Sequence, residues 1–313
     1  MTAMTLRSAF VAAISFAALT VSLTPGLAHA CACGCGVFSV GAGTLMPDDA
    51  KGSAFIEYDF MSQSKNWAGG SSAPSGNNAD KKIRTDFITL GGQYRIARNW
   101  TVTAEVPVWN RSFTTETDDG VQTFRHSALG DARLTFTYSG LSSDMSLGLI
   151  AGVKLPTGDN AYANFDPDTE ISTGSTDILL GAYKQGPVDR DGDFRYFAQA
   201  VWDKPIDWKS NYRPGEELNF AVGLSWAGWT FAGGKMTLAP VVQLIGSVRA
   251  RDHGTNGHST DSGYERIVLA PGLELQSGPW RLFADIGAPV YQRVNGNQLV
   301  APVLFKTMLT RRF

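Results

Sequence analysis

The sequence predicts an all-β protein: a transmembrane antiparallel up-and-down β-barrel of about twelve strands, preceded by an N-terminal signal peptide. Three observations predict this fold. An apolar N-terminal run ends at a cleavage motif. No later run approaches the roughly twenty apolar residues that a membrane-spanning helix requires. From residue 52 onward, apolar and polar residues alternate with a period of two, which is typical of strands with two different faces.

The N-terminal run has the three parts of a secretory signal. Arg7 supplies a positive charge, residues 9–23 are apolar but too short to span a bilayer, and Ala28-His29-Ala30 provides an A-x-A cleavage site. We therefore assign residues 1–30 to a signal peptide. Residues 31–52 are assigned to a periplasmic Cys-rich segment, and residues 53–313 to an outer-membrane barrel.

The alternation places the strands. In one of them Val102, Ala104 and Val106 alternate with Thr101 and Glu105. Strands are predicted at 53–64, 83–95, 99–110, 128–139, 144–156, 173–184, 193–203, 216–226, 236–249, 264–276, 280–291 and 299–313. The longer connections are expected on one side of the membrane, at 65–82, 111–127, 157–172, 204–215, 250–263 and 292–298. Outer-membrane barrels have long external loops and short periplasmic turns, and an even strand count then puts both termini in the periplasm.

A secreted β-sandwich is the competing fold, because its strands also alternate. Its apolar face would point inward and its polar face outward. Here the polar faces have charged residues at mid-strand, as in Glu105 and Arg133. Charges at mid-strand suit a water-filled lumen, so the barrel is the favoured prediction.

Three short motifs resemble a known family. They are Leu129-Gly130-Asp131-Ala132-Arg133, Lys154-Leu155-Pro156-Thr157-Gly158-Asp159 and Thr173-Gly174-Ser175-Thr176-Asp177. Their order and spacing are similar to those of the outer-membrane β-barrel family named for the meta-pathway of phenol degradation. The resemblance implies a transporter-like barrel that passes small, often aromatic or hydrophobic, compounds. The cysteine-rich N-terminus is not part of the family pattern.

If the polar faces point inward, the lumen contains both signs of charge. Two interpretations remain open: a structural ladder of ion pairs, or a weakly selective polar path. The signs nearly balance, so no strong ion preference is expected. The predicted lumen charges are Glu57, Asp59, Glu105, Asp131, Arg133, Lys154, Asp177, Arg195, Asp203, Glu217, Arg249, Arg266, Glu274, Arg281, Asp285 and Lys306.

Acidic residues also cluster in the predicted loop 157–172. Asp166, Asp168 and Glu170 lie at alternate positions, with Asp159 nearby. Carboxylates of this spacing can ligate calcium or bridge divalent ions to lipopolysaccharide. The loop lacks the Gly turn and terminal Glu of a calcium-binding loop, so solvated acids are the expected outcome.

All three cysteines, Cys31, Cys33 and Cys35, directly follow the cleavage site. Three interpretations compete. Cys31 could be lipidated, although Ala28 and His29 fit a lipobox poorly. The thiolates could bind copper or zinc, although no mature-chain histidine lies nearby to complete a zinc site. The thiols could instead form a disulfide or have no specific role. Apart from this copper or zinc hypothesis, no cofactor is expected.

Composition and histidine placement restrict the function. The net charge of −2 provides no basic surface for nucleic acid. The mature chain has only His126, His253 and His258, all in predicted loops, and no recognisable catalytic motif. We expect a channel or transporter for small molecules and not an enzyme. The alternative is a closed barrel whose cysteine segment binds a soft metal or docks a partner. Expected partners are outer-membrane lipid and lipopolysaccharide, a small solute and the barrel-assembly machinery.

Overall fold

The computed structural model describes residues 35–41 and 50–313, and it forms a closed antiparallel barrel of twelve wall strands. A short 3₁₀ helix, η1 (Cys35–Ser39), precedes the barrel, and a second, η2 (Ser75–Asn77), lies in a loop. The strands are β1 (Gly52–Gln63), β2 (Lys65–Gly69), β3 (Ser71–Ser72), β4 (Asp80–Ala97), β5 (Trp100–Thr117), β6 (Gly120–Leu129), β7 (Ala132–Tyr138), β8 (Leu147–Leu155), β9 (Asp177–Pro187), β10 (Phe194–Pro205), β11 (Glu217–Trp226), β12 (Trp229–Phe231), β13 (Met236–Arg249), β14 (Tyr264–Ser277), β15 (Trp280–Val300) and β16 (Leu304–Arg312).

Pairing of the first and last wall strands closes the barrel. Strand β1 pairs with β4 on one side and with β16 on the other, with Ile56 opposite both Leu90 and Leu309. The N–H of Gly52 donates to the carbonyl of Phe313 at 3.1 Å, so both ends of the wall lie at one end of the barrel. A closed wall has no second sheet to pack against. The predicted barrel is confirmed and the sandwich is excluded.

The two faces of the wall follow the predicted alternation. On β4, Ile88 and Leu90 point outward and are 43 % and 53 % exposed, whereas Thr85 and Phe87 point inward and are buried. Successive side chains of a strand point to opposite faces, so the outer surface of the wall is apolar wherever this alternation holds. An apolar outer surface is what lipid requires.

The wall is longer than predicted at the end opposite the termini. Strand β5 continues to Thr117 and turns through Asp118 and Asp119 into β6, where the alternation predicts a loop at 111–127. Strand β15 likewise covers the predicted loop at 292–298. The β5–β6 extension is rich in Thr, a β-branched residue with high strand propensity. The loop prediction was wrong because this part of the wall is polar on its outer face and no longer alternates as lipid-facing strands do.

One wall strand is made of two pieces. Strand β7 pairs with β5 and β8, whereas β6 pairs with β5 alone among the described residues. Gly130 and Asp131 separate the two pieces. The following β8 ends at Leu155 and β9 begins at Asp177, so the connection 156–176 starts and ends beside this interruption.

Within residues 35–41 and 50–313, no helix has the length and apolarity to cross a membrane. The predicted signal peptide, Cys31 and Cys33 fall outside the described residues. The signal peptide and the division at residues 30 and 52 therefore stay predictions.

Candidate functional site: a charged cavity in the barrel lumen

The N-terminal segment 35–41 lies inside the barrel. Val37 and Val40 are 2 % and 1 % exposed and belong to the apolar cluster formed by inward-facing wall residues. The ring of Phe38 packs on that of Phe87, with centroids 5.6 Å apart. Burial of apolar side chains in a lumen is favourable because it removes them from water. Segment 35–41 is therefore a plug within the barrel.

Two basic side chains of the wall hold this plug. Lys306 Nζ donates to the backbone oxygen of Phe38, and Arg133 Nη1 donates to Ser39 Oγ. Lys306 also donates to Glu57 Oε2 at 3.1 Å, so the same ammonium joins plug and wall. Hydrogen bonds from charged donors are stronger than neutral ones, which favours one position for the plug.

The connection 156–176 folds into the barrel from the opposite end. Arg111 on β5 is 1 % exposed, and its Nη1 donates to the backbone oxygens of Thr169 at 2.7 Å and Glu170 at 2.8 Å. Its Nε donates to Thr85 Oγ1 at 3.0 Å, which fixes the guanidinium against the wall. Arg111 thus holds the inner part of this loop over the lumen.

The three motifs that carry the family resemblance meet at the base of this loop. Asp131 Oδ1 accepts hydrogen bonds from the N–H of Gly158 at 3.1 Å and from Ser172 Oγ. A Cβ on Gly158 would stand 2.8 Å from the backbone of Gly130, closer than real Cβ atoms come to other atoms. Only glycine allows this approach without a shift. Lys154 and Asp177, from the second and third motifs, form an ion pair beside it.

An aromatic cluster supports the outer part of the loop. Tyr162 stacks on His126 with centroids 3.6 Å apart, and Phe165 packs on Phe113 at 5.4 Å. His126 Nε2 lies 2.9 Å from Asp159 Oδ2. Burial raises the pKa of the Tyr162 hydroxyl to about 12. The loop is therefore packed on the wall at several points and does not hang in solvent.

A cavity of about 170 Å³ lies between the plug and this loop. Phe38 and Ser39 bound it on the plug side, and Asp168 and Ile171 on the loop side. A second cavity of about 80 Å³ lies on the other side of Ser39. Four residues line both cavities and therefore form the boundary between them, which we call the constriction: Ser39, Glu105, Arg133 and Asp203.

One wall of the larger cavity is aromatic. Phe87 and Trp109 meet edge to face with centroids 4.6 Å apart, and both line the cavity. The guanidinium of Arg111 lies over the Trp109 ring, 5.0 Å from its centroid. Aromatic rings in a confined site offer an apolar surface to a solute. The cavity therefore combines polar groups with a surface for an apolar body.

The structure brings nine of the predicted lumen charges to the larger cavity: Glu57, Asp59, Glu105, Asp131, Arg133, Lys154, Asp203, Glu217 and Arg249. Asp177 pairs with Lys154, and Asp285 accepts from Gln243 Nε2 at 2.7 Å. Lys306 and Arg266 are buried, whereas Glu274 and Arg281 form a pair at 3.3 Å outside the cavity. Arg195 is exposed at the start of β10 and does not join them.

Several of these charges form ion pairs with residues of a neighbouring strand or of the following loop. Lys306 lies 3.1 Å from Glu57 and 3.9 Å from Asp59. Arg249 lies 3.9 Å from Glu217 and 2.9 Å from Asp252. Pairing lowers the cost of keeping charges in a confined lumen. Part of the ladder is therefore made of ion pairs; its structural or selective role stays a prediction.

Four titratable residues of the larger cavity were not predicted to line it: Arg111, Asp168, Glu170 and Tyr212. Arg111 shares the parity of Glu105 and Trp109, so a longer β5 would have placed it in the lumen. The expectation of a solvated Asp168 was wrong: it is only 7 % exposed, because the loop folds inward. Tyr212 is buried in the connection from β10 to β11, and its hydroxyl donates to Asp252 at 3.1 Å. No signal in the sequence indicates that Tyr212 lines the cavity.

Burial shifts the acids of the inward loop. It raises the pKa of Asp168 well above its usual range, and the nearby carboxylates of Asp166 and Asp252 add to the effect. Burial also raises the pKa of Glu170 to about 7. Among the described residues, no group of three or more His, Cys, Asp or Glu side chains is arranged to hold a metal ion.

The closed wall, the apolar outer surface and the charged interior define a transmembrane β-barrel of the outer-membrane type. Among solved structures, the chain is similar to the COG4313 outer membrane channel from Pseudomonas putida F1. The TM-score is 0.64 and the identity 15 %, over 88 % of this chain and 99 % of that one. It is also similar to the beta domain of the Bordetella autotransporter BrkA, with a TM-score of 0.52 and 14 % identity, over 85 % of this chain and 100 % of that one. The sequence matches no family model and none of the curated proteins. At these identities the likeness shows the fold.

Proposed function

We propose that this protein is an outer-membrane channel for small solutes. The observation that supports it most is the lumen, which contains two cavities in line, separated by one constriction at Ser39 and Arg133. A barrel with a purely structural interior would be filled by side chains. Here the space between plug and loop is open and lined by charged and aromatic groups.

Transport through this barrel requires the constriction to widen. Arg133 donates to Ser39 Oγ there, and Glu105 and Asp203 complete the ring. Rings of charged side chains set which solutes pass a narrow pore. The constriction is therefore the selectivity element of the proposed channel.

The solute class follows from the aromatic wall and from the motifs. We propose that the chain belongs to the family named for the meta-pathway of phenol degradation, and this resemblance implies passage of small aromatic or hydrophobic compounds. Phe87 and Trp109 provide a matching surface in the larger cavity. The similar protein from Pseudomonas putida is itself an outer membrane channel. We propose the same broad role here, with no catalytic step.

The second candidate is a closed barrel that binds a soft metal or docks a partner through its cysteines. The burial of Val37 and Val40 in the lumen favours it, because the plug fills part of the passage. Cys35 is the first residue of η1, so the cysteine run leads directly into the plug. The metal-binding hypothesis is tested by replacing all three cysteines with serine and measuring the bound copper and zinc. A metal content equal to that of the parent rules out metal binding by the cysteines.

Conductance in planar lipid bilayers separates the two candidates. The purified full-length protein is expected to give discrete, salt-dependent current steps. Heat-denatured protein at the same detergent concentration is the control. Absence of steps from folded protein, at a concentration where a known porin conducts, rejects the channel and favours the closed barrel.

A further inference from the structure

The larger cavity is acidic. Its lining contains eight carboxylates against four cationic side chains among the described residues. This excess of acidic residues differs from the nearly equal numbers of acidic and basic residues that the strands alone predict for the lumen. The loop accounts for two of the four excess carboxylates, since it adds Asp168 and Glu170 to the lumen. An excess of one sign in a low-dielectric enclosure attracts small ions of the opposite sign.

The cationic side chains of this lining already have partners. Lys154 pairs with Asp177, and Arg249 with Asp252 and Glu217. Arg111 donates to loop carbonyls, and Arg133 donates to Ser39 of the plug. None of these pairings involves the carboxylate of Asp168 or of Glu170. The cavity therefore retains two acidic side chains that its own cations do not neutralise.

Of these two acidic side chains, Asp168 is the one whose lack of partners is better defined. Its side chain is 7 % exposed and lines the cavity, yet neither carboxylate oxygen has a hydrogen-bond partner within the described part of the chain. A buried carboxyl group without partners costs folding free energy, because it has lost water and gained nothing in return. A ligand that donates hydrogen bonds and carries positive charge would offset this cost.

The aromatic wall defines the rest of such a ligand. Phe87 and Trp109 line the same cavity as Asp168 and Glu170, so one small molecule can touch both the rings and the acids. An ammonium group is attracted by carboxylates and by the faces of aromatic rings alike. An apolar or aromatic body attached to it would cover the two rings.

We propose that this cavity is a binding site for small protonated amines with an aromatic or apolar body, in which Asp168 and Glu170 accept hydrogen bonds from the ammonium group. If the barrel is the channel proposed above, this names its solute class. Binding itself does not depend on conduction.

Isothermal titration of the full-length protein in detergent tests the site, with benzylammonium chloride as the probe. Benzyl alcohol and sodium benzoate are its neutral and anionic counterparts. We expect saturable binding of benzylammonium, weaker binding of benzyl alcohol and none of benzoate. The double variant Asp168→Asn, Glu170→Gln is expected to weaken benzylammonium binding about tenfold or more.

Asp118→Asn removes one carboxylate from the exposed β5–β6 turn and is the matched control. It is expected to bind benzylammonium as the parent does. Circular dichroism checks that each variant keeps its strand content. Equal affinity for benzylammonium and benzyl alcohol, or undiminished affinity in the folded double variant, overturns the proposal. Since titration needs no current, a barrel that binds the amine but gives no conductance refutes only the channel.

Discussion

Arg111 on the wall holds Glu170 on the inward loop through its backbone oxygen, at 2.8 Å, and binds Thr169 in the same way. Arg111→Ala removes both bonds and leaves two buried carbonyls without a donor. We expect a lower melting temperature in detergent, by roughly 2–4 °C for each kcal/mol lost. Proteinase K should also cleave the loop 156–176 faster. Arg125→Ala, on the exposed outer face of β6, is the control; equal proteolysis of the two variants would contradict the assigned role.

Gly158 is expected to tolerate no side chain. In Gly158→Ala the new Cβ would lie 2.7 Å from Ser172 Cβ and 2.8 Å from the oxygen of Leu129. Relief of that clash requires the loop to move away from Asp131, which costs about 1–3 kcal/mol. This destabilisation should be seen as a lower melting temperature and as faster proteolysis of the loop. Gly70→Ala, where a Cβ meets nothing within 4 Å, should behave as the parent.

Arg133 lines both cavities at the constriction between them. Arg133→Ala removes the donor to Ser39 Oγ and the bulk at the constriction. If the channel proposal holds, the single-channel conductance in planar bilayers should rise about twofold or more. Arg195→Ala removes the same charge at the exposed strand end and should leave the conductance unchanged. An unaltered current in Arg133→Ala would place the constriction elsewhere.

Binding of benzylammonium should strengthen as the pH rises from 6 to 8. Burial raises the pKa of Glu170 to about 7. Below that value the carboxyl is protonated and neutral, and above it the carboxylate attracts the ammonium group. Glu170→Gln should reduce the pH dependence measured by titration, and Asp168, whose pKa burial also raises, supplies what remains. A profile that stays as steep in Glu170→Gln would assign it to another group.

Asp168→Asn should stabilise the protein, and more so at high pH. Burial raises the pKa of Asp168 in the folded state above that of the unfolded chain. The folded state therefore retains a proton that the unfolded state releases, and stability falls as the pH rises from the unfolded pKa through the folded one. Asn does not titrate, so the Asp168→Asn variant avoids this loss of stability. The gain in melting temperature should be larger at pH 8 than at pH 5; a uniform gain would show that ionisation plays no part.

The sequence is sufficient to predict the wall and insufficient to predict its interior. Alternation places Glu57 and Asp59 inward because lipid tolerates only apolar side chains at Ile56 and its outward neighbours. That constraint ends where the wall leaves the lipid. The alternation therefore predicts a loop in place of the β5–β6 extension. For the same reason it does not place Arg111 in the lumen.

The inward loop and the plug depend on contacts distant in sequence. Asp131 contacts Gly158 and Ser172, and Arg133 contacts Ser39, 94 residues away. No period in the sequence records such pairs. The short motifs at 129–133, 154–159 and 173–177 do coincide with the loop base. In the sequence, however, they indicate only a family resemblance and give no contacts between the motifs. Asp168 is predicted to face solvent because its local sequence is that of an ordinary acidic loop.

The one-sided pairing of β6 fixes the depth at which the barrel sits in the bilayer. Hydrocarbon cannot satisfy the free N–H and C=O groups of a strand edge, so that edge must stand clear of the acyl chains. Leu129 and Val108 form the last apolar outward pair, and beyond them Ser127, Arg125 and Asn110 face outward. The boundary between acyl chains and headgroups therefore runs close to Leu129. The amine site, roofed by a loop that starts and ends beside this level, would be reached from the aqueous side of the headgroups.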